Sequence, residues 1–273
     1  MMPIDPIRGL GQYAPVNGLN MYFEICGAGQ PLVLIPGGFG HVGVFTRLIP
    51  QLAARRQVIT VELQGHGHTA DLGRPFSFEQ FADDIAALIE HLNLPCADVM
   101  GWSLGGGVAL QTVIRHPALV RKLVVLSAPY KRAGWFPDVL AGMASIEPAN
   151  MIGSPMHTAY VNVAPHPEDF PNLANKTRQL LGQDYDWTDA VTAVTTPVLI
   201  VAADADSLAP AYAAEMFGLL GGGKKDAGWD GSGMIHSQLA ILPGTTHYNS
   251  VDSPCLAGMV NEFLDAPIRQ LTT

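Results

Sequence analysis

The chain has 273 residues, a length that allows one large domain or two smaller ones. Apolar residues make up 48% of the sequence and charged residues 14%, which favours a globular chain with a substantial core over a disordered one. The formal net charge of −9 argues against a nucleic-acid partner and an anionic membrane surface, because both attract clustered lysine and arginine.

Targeting and redox features point to the cytoplasm. The apolar runs, such as residues 122–127, are too short to span a bilayer, and the first residues lack the basic start and apolar stretch of a signal peptide. Cys26, Cys96 and Cys255 are odd in number and show no metal-ligand spacing. We therefore expect a cytoplasmic protein with reduced thiols, no metal and no other cofactor.

The first elements are predicted to be strands with one helix between them. An Asn17-Gly18 turn followed by alternating apolar residues predicts a β-hairpin. Residues 31–35 form a continuous apolar run, as expected of a strand buried on both faces. A helix is predicted over residues 43–55 and a strand over 57–61.

The middle and end of the chain alternate between strands and helices. A capping box at residues 77–80 opens an amphipathic helix that ends before Pro95. Further strands are predicted at 98–100, 123–126, 197–201 and 239–242, and further helices at 108–114, 211–220 and 254–265.

This alternation predicts an α/β fold, with a mostly parallel central sheet flanked by helices. Residues 129–195 interrupt the pattern, because they contain seven prolines and no convincing strand and are too long for a bare loop. We expect a small helical cap over 129–195, inserted into a core domain made of residues 1–128 and 196–273.

Reactive residues follow the ends of several predicted strands. They are Ser103 after 98–100, Asp204 and Asp206 after 197–201, His247 after 239–242, and Gly37 and Gly38 after 31–35. Because the carboxyl ends of parallel strands share one edge of the sheet, a nucleophile, an acid and a base are expected to meet there. Imidazole can take the serine proton, a carboxylate can orient the imidazole, and the backbone N–H groups of Leu104 and Gly38 can stabilise an oxyanion.

The pentapeptide "GWSLG" around Ser103 is a G-x-S-x-G nucleophile elbow, and the order Ser103, Asp206, His247 resembles the α/β-hydrolase superfamily, in its serine esterase and haloperoxidase-like branch with a helical cap. The resemblance covers nearly the whole chain. Its D-x-x-x-P pattern is met by Asp206 and Pro210, so the resemblance favours Asp206 over Asp204 as the acid. Many relatives have His-Gly before the oxyanion residue, whereas this chain has Pro36-Gly37.

Several other motifs admit more than one interpretation. His66 and His68 have a His-Gly-His spacing that could suggest a metal pair, but no third ligand lies nearby. The glycine-rich run at 221–233 resembles a phosphate cradle, yet it links a helix to a strand and should lie at the opposite sheet edge. We therefore interpret the 221–237 region as a surface insert.

The expected activity is hydrolysis of small carboxylic esters of modest acyl length through an acyl-enzyme. The same triad serves lactonases and carbon–carbon bond hydrolases in this superfamily, and some members are small-molecule receptors, so these alternatives stay open. The partner is expected to be a small-molecule ester, with the chain acting as a monomer or small homo-oligomer. Candidate pocket residues are Phe39, Trp102, Trp135, Met143, Met156 and Tyr160, with Phe136, Met151 and His157 as further apolar or aromatic cap residues.

Overall fold

The computed structural model describes residues 9–268. Its strands are β1 Gly11–Val16, β2 Leu19–Cys26, β3 Pro31–Ile35, β4 Gln57–Val61, β5 Ala97–Trp102, β6 Val120–Leu126, β7 Val198–Ala205 and β8 Gln238–Thr246. Within the described residues these eight strands form one sheet in the order β1-β2-β4-β3-β5-β6-β7-β8. Strands β1 and β2 are antiparallel to their neighbours and the others run parallel, which confirms the predicted mostly parallel sheet.

Helices cover both faces of this sheet. They are α1 Ile49–Ala53, α2 Phe78–His91, α3 Leu104–Arg115, α4 Pro137–Ala144, α5 Pro148–Met151, α6 Pro155–Val161, α7 Phe170–Gly182, α8 Thr188–Thr192, α9 Pro210–Leu219 and α10 Leu256–Asp265. No helix within residues 9–268 is long and apolar enough to cross a membrane.

The core lies in two layers because the central strands are apolar on both faces. In β3, Val33 and Ile35 pack in one layer with residues of α2 and α3, while Leu32 and Leu34 pack in the other with residues of α1 and α10. A strand covered by helices on both faces buries all of its side chains, so apolar residues are favoured at every position. This explains the uninterrupted apolar run at 31–35.

Local sequence signals predicted some elements correctly and the bounds of others only in part. The Asn17-Gly18 hairpin is present, and the Ser77 hydroxyl accepts a hydrogen bond from the Gln80 backbone N–H at the start of α2. The single helix expected over 43–55 is instead a 3₁₀ turn at Val42–Phe45 and the short α1. Pro50 has no N–H to continue a helix from the preceding turn, which accounts for the break. Strand β8 extends beyond the expected 239–242, because its pairing with β7 continues to Thr246.

The segment between β6 and β7 carries the helices α4 to α8. Pro137, Pro148 and Pro155 each lie in the first turn of one of these helices, where the missing N–H costs nothing. The Lys176 ammonium on α7 binds the Asp71 carboxylate at 2.6 Å and so ties this segment to the loop after β4. The division into a core domain and an inserted cap stays a prediction.

Candidate active site

Ser103 lies in the tight turn between β5 and α3. Its backbone adopts φ 57° and ψ −121°, a strained conformation for a residue with a side chain and one that is concentrated at functional sites. The turn can be this sharp because glycines flank it. A Cβ on Gly105 would lie 2.4 Å from the carbonyl oxygens of Ile35 and Pro36, and a Cβ on Gly101 would lie 1.9 Å from the Gly105 carbonyl oxygen. The glycines therefore allow close backbone packing that holds Ser103 at the carboxyl edge of the sheet.

The three side chains that follow β5, β7 and β8 meet in one hydrogen-bonded row. The Nε2 atom of His247 lies 2.9 Å from the Ser103 hydroxyl oxygen, and its Nδ1 lies 2.7 Å from an oxygen of Asp206. His247 and Asp206 are each 7% exposed. A hydroxyl, an imidazole and a carboxylate in this order can pass a proton away from the hydroxyl.

The Asp206 carboxylate is anchored by donors on both oxygens. One oxygen accepts from the Ser127 hydroxyl at 2.6 Å and from the Ala203 N–H at 2.9 Å, and the other accepts from the Ser207 N–H at 2.8 Å as well as contacting His247. Burial alone would raise the pKa of Asp206, but the bonds from His247, Ser127 and Ala203 outweigh it and hold that pKa below its usual range. The carboxylate therefore stays ionised and fixed.

Asp204, the competing carboxylate, has a different environment. It is exposed, and its oxygens accept hydrogen bonds from the N–H groups of Gly244 at 2.8 Å and Thr245 at 3.1 Å. Bonds from these amides, with that from Gly244 the strongest influence, lower the pKa of Asp204. Asp204 thus holds the backbone just before His247 through hydrogen bonds. Asp206 is the carboxylate in contact with the imidazole.

The backbone of Gly38 lies beside the N-terminus of α3. A Cβ built on Gly38 would be 3.5 Å from Leu104 Cδ1 and 3.9 Å from Leu104 Cβ, and one on Gly37 would be 3.2 Å from Ser103 Cβ. Leu104 is the first residue of α3, so its N–H has no acceptor within the helix. Gly38 and Leu104 are therefore close to the hydroxyl of Ser103, and their role as oxyanion donors stays a prediction.

Comparisons with known proteins agree with this architecture. A family model described as the alpha/beta hydrolase fold matches residues 30–156. Over 131 residues the chain is 41% identical to a pimeloyl-(acyl-carrier protein) methyl ester esterase of Chromobacterium violaceum, an alignment that covers 47% of this chain and 49% of that protein. The chain has the α/β-hydrolase fold.

Two further comparisons cover more of the chain. Over 221 residues it is 27% identical to a putative carbamate hydrolase of Azorhizobium caulinodans, covering 73% of this chain and 82% of that protein. The structure of a meta-cleavage product hydrolase from Pseudomonas fluorescens IP01 matches with a TM-score of 0.71 at 17% identity, over 94% of this chain and 98% of that one. The chain spans about half the length of the methyl ester esterase that it matches.

Aromatic rings surround the imidazole of His247. The ring centroids of Trp102, Trp135 and Tyr248 lie 5.8, 5.5 and 5.5 Å from that of His247. The indole N–H of Trp102 and the hydroxyl of Ser250 both donate to the His247 carbonyl oxygen, at 3.2 and 3.1 Å. These contacts fix the backbone that carries the imidazole.

A cavity of about 480 Å³ opens onto Ser103 and His247. The candidates Phe39, Trp102, Trp135, Met143 and Met156 line it together with Met151. Tyr160 was expected in this lining and is not there. Its ring is buried against Phe170, and its hydroxyl donates to the His166 carbonyl oxygen, so it belongs to the core of the α4–α8 segment.

Several residues that line the cavity or hold Asp206 were not predicted from the sequence. Lining residues in this group include Phe78, Asp138, Thr177, Leu181, Tyr185 and Tyr248. Apart from Tyr248, which follows His247, none of these residues carries a local sequence signal that points to the site. Ser127 was also missed as a partner of Asp206, although it directly follows the apolar run of β6, where the other polar site residues lie.

The two histidines of the His-Gly-His sequence serve separate contacts. His66 is buried, with Nδ1 2.9 Å from the Gln64 carbonyl oxygen, and burial lowers the pKa of its imidazole. His68 contacts the buried carboxylate of Glu62 through Nδ1 and stacks on the ring of Tyr22. Within residues 9–268, no group of three histidine, cysteine or acidic side chains is arranged to hold a metal ion.

Proposed function

We propose that this α/β hydrolase cleaves carboxylic esters of modest acyl length, with Ser103 as nucleophile, His247 as base and Asp206 as the orienting acid. The observation that carries the proposal is the continuous row of hydrogen bonds from Ser103 through His247 to Asp206, which faces a mainly apolar cavity. The match to a methyl ester esterase supports the ester as substrate.

Acylation begins with attack of the Ser103 hydroxyl oxygen on the ester carbonyl carbon. The Nε2 atom of His247, 2.9 Å away, accepts the hydroxyl proton. Asp206 holds the Nδ1–H and stabilises the imidazolium that forms. The N–H groups of Leu104 and Gly38 donate to the tetrahedral oxyanion, each worth on the order of 3 kcal/mol. The intermediate then collapses, and the leaving alcohol takes the proton from Nε2.

Deacylation repeats these steps with water. His247 removes a proton from a water molecule, whose oxygen attacks the acyl-enzyme carbonyl, and the returning proton releases Ser103. The acid product and the free enzyme complete the cycle. No metal or cofactor takes part in the proposed steps.

The size of the cavity supports a small substrate. A volume of about 480 Å³ falls within the ordinary range for small-molecule sites. The segment between β6 and β7 lies over the sheet edge and contributes Trp135, Met143 and Met156 to the lining. We therefore propose a small-molecule ester as substrate rather than an insoluble fat. We also propose that the protein is cytoplasmic and acts as a monomer or small homo-oligomer.

The test is a series of short, medium and long 4-nitrophenyl esters, assayed with wild type and Ser103→Ala. Rapid turnover of the short esters, lost in the variant, is the expected result. Turnover that survives in Ser103→Ala would remove Ser103 as nucleophile. Tight ligand binding with negligible turnover of every ester would favour a receptor over an enzyme.

A further inference from the structure

We propose that the substrate is uncharged outside the reacting ester, and that the cavity discriminates strongly against esters whose acyl chain carries a carboxylate. This inference rests on the proposed esterase function and specifies the chemical class of its substrate. It follows from the charges that line and cover the cavity.

The cavity offers no cation to a substrate carboxylate. Among residues 9–268, no lysine or arginine lines it, and its lining includes the carboxylate of Asp138 and the imidazole of His247. Asp138 lies in the first turn of α4, where the helix start would otherwise attract an anion, and Pro137 before it has no N–H to donate. A carboxylate bound beside Asp138 would therefore meet a like charge and no side-chain cation.

The chain that covers the cavity is also free of basic side chains over a long stretch. The sequence from 133 to 175 contains no lysine or arginine, whereas Asp138, Glu147, Glu168 and Asp169 are acidic. Residues 133–175 therefore supply no basic side chain that could steer an anionic substrate toward the cavity.

The basic side chains that border residues 133–175 form ion pairs or hydrogen bonds with other groups. The ammonium of Lys131 pairs with Glu215 at 3.0 Å, and that of Lys176 pairs with Asp71 at 2.6 Å. Arg178 pairs with Glu147. Arg132 is behind the cavity wall, where its Nε donates to the carbonyl oxygen of Leu181 at 3.5 Å, and it does not line the cavity.

The apolar lining favours binding of an alkyl or aryl acyl group and opposes binding of a charged one. Phe39, Phe78 and Leu181 offer apolar contact, and each methylene transferred from water to such a lining is worth about a fourfold gain in binding. A buried carboxylate without a partner loses at least about a hundredfold. The two effects separate a neutral ester from an otherwise matched anionic one.

The experiment compares methyl hexanoate with monomethyl adipate, which share the methyl ester and the six-carbon acyl chain and differ in a terminal carboxylate. Methanol release at about pH 8, where the adipate carboxyl is ionised, gives kcat/KM for each. We expect a ratio of at least about 100 in favour of methyl hexanoate. The ratio should fall several-fold in Asp138→Asn and at least tenfold in Met143→Arg, which places a cation in the lining.

Asp189→Asn is the matched control, because Asp189, like Asp138, is an exposed aspartate in the first turn of a helix of the segment between β6 and β7, and it lies outside the cavity lining. It should leave the ratio within about twofold of wild type. A wild-type ratio below about ten, or an Asp138→Asn ratio no different from that of Asp189→Asn, overturns the inference while leaving the esterase function intact. If neither ester is hydrolysed and a fluorophosphonate leaves Ser103 unmodified, the esterase function itself is overturned, and this inference with it.

Discussion

The two aspartates at the end of β7 form a natural matched pair for mutation. Asp206→Asn replaces a carboxylate whose oxygens are surrounded by donors: the Ser127 hydroxyl, the N–H groups of Ala203 and Ser207, and Nδ1 of His247. The asparagine amide can present only one oxygen. With that oxygen toward Ala203, its NH₂ faces Nδ1 of His247, which must then accept. The tautomer that results carries its proton on Nε2 and cannot take the proton of the Ser103 hydroxyl.

The size of the loss follows from the same contact. A carboxylate about 4 Å from an imidazolium stabilises it by about 4 kcal/mol at an effective dielectric constant of about 20. Asp206 contacts His247 at 2.7 Å between heavy atoms, so this figure is a reasonable scale for the charge interaction. It corresponds to a loss of about a thousandfold in kcat/KM.

Asp204→Asn supplies the control. Its carboxylate is exposed and contacts the amides of Gly244 and Thr245 rather than the imidazole. We expect a loss of less than about tenfold, from a looser loop before His247. The assay is kcat/KM on a short 4-nitrophenyl ester, with thermal unfolding to verify that both variants fold. A loss in Asp204→Asn equal to that in Asp206→Asn, or more than a tenth of the wild-type activity in Asp206→Asn, would refute this reasoning.

Three further predictions concern the support of the site. Ser127→Ala removes the 2.6 Å donor to Asp206 and should lower kcat/KM about tenfold; unchanged kinetics would exclude Ser127 as a positioning residue. Gly105→Ala forces a Cβ against two carbonyl oxygens and should lower the free energy of unfolding in urea by at least about 2 kcal/mol. Gly258→Ala, in open space on α10, should instead raise it by about 1 kcal/mol. Equal effects of the two substitutions would contradict the packing explanation. Although burial opposes it, hydrogen bonding holds the pKa of Asp206 below its unfolded value of about 3.9, so its contribution to stability is full above about pH 4 and is lost as the pH falls through the lower folded-state pKa. The difference in unfolding free energy between wild type and Asp206→Asn should therefore shrink as the pH falls below about 4, and a difference that grows there would contradict the sign.

The sheet and the residues at its edge could be predicted because their signals are local. Continuous apolar runs mark β3 to β7, and a short turn or loop after each strand end places Ser103 and Asp206 at a shared edge. Glycines at 101 and 105 appeared as a turn signal, and the structure explains them by backbone contacts that no side chain would permit. The preference for Asp206 over Asp204 came from the superfamily pattern, and it agrees with the 2.7 Å contact to His247.

The cavity wall could not be predicted in the same way, because it depends on how distant segments pack. Tyr160 and Met156 are neighbours on α6 and equally suitable by type, yet one is buried against Phe170 and the other lines the cavity. Tyr185, in the loop before α8, reaches the lining and accepts a hydrogen bond from the Trp135 indole at 3.2 Å. Nothing in the periodicity of a short helix distinguishes these cases.

Covalent trapping tests the proton relay most directly. Diethyl 4-nitrophenyl phosphate phosphorylates an activated serine and leaves a stable adduct. We predict one diethylphosphoryl group per chain, on the peptide that contains Ser103, with no adduct in Ser103→Ala and labelling slowed at least about a thousandfold in His247→Ala. Labelling at another residue, or labelling of His247→Ala at the wild-type rate, would contradict proton transfer from Ser103 to His247.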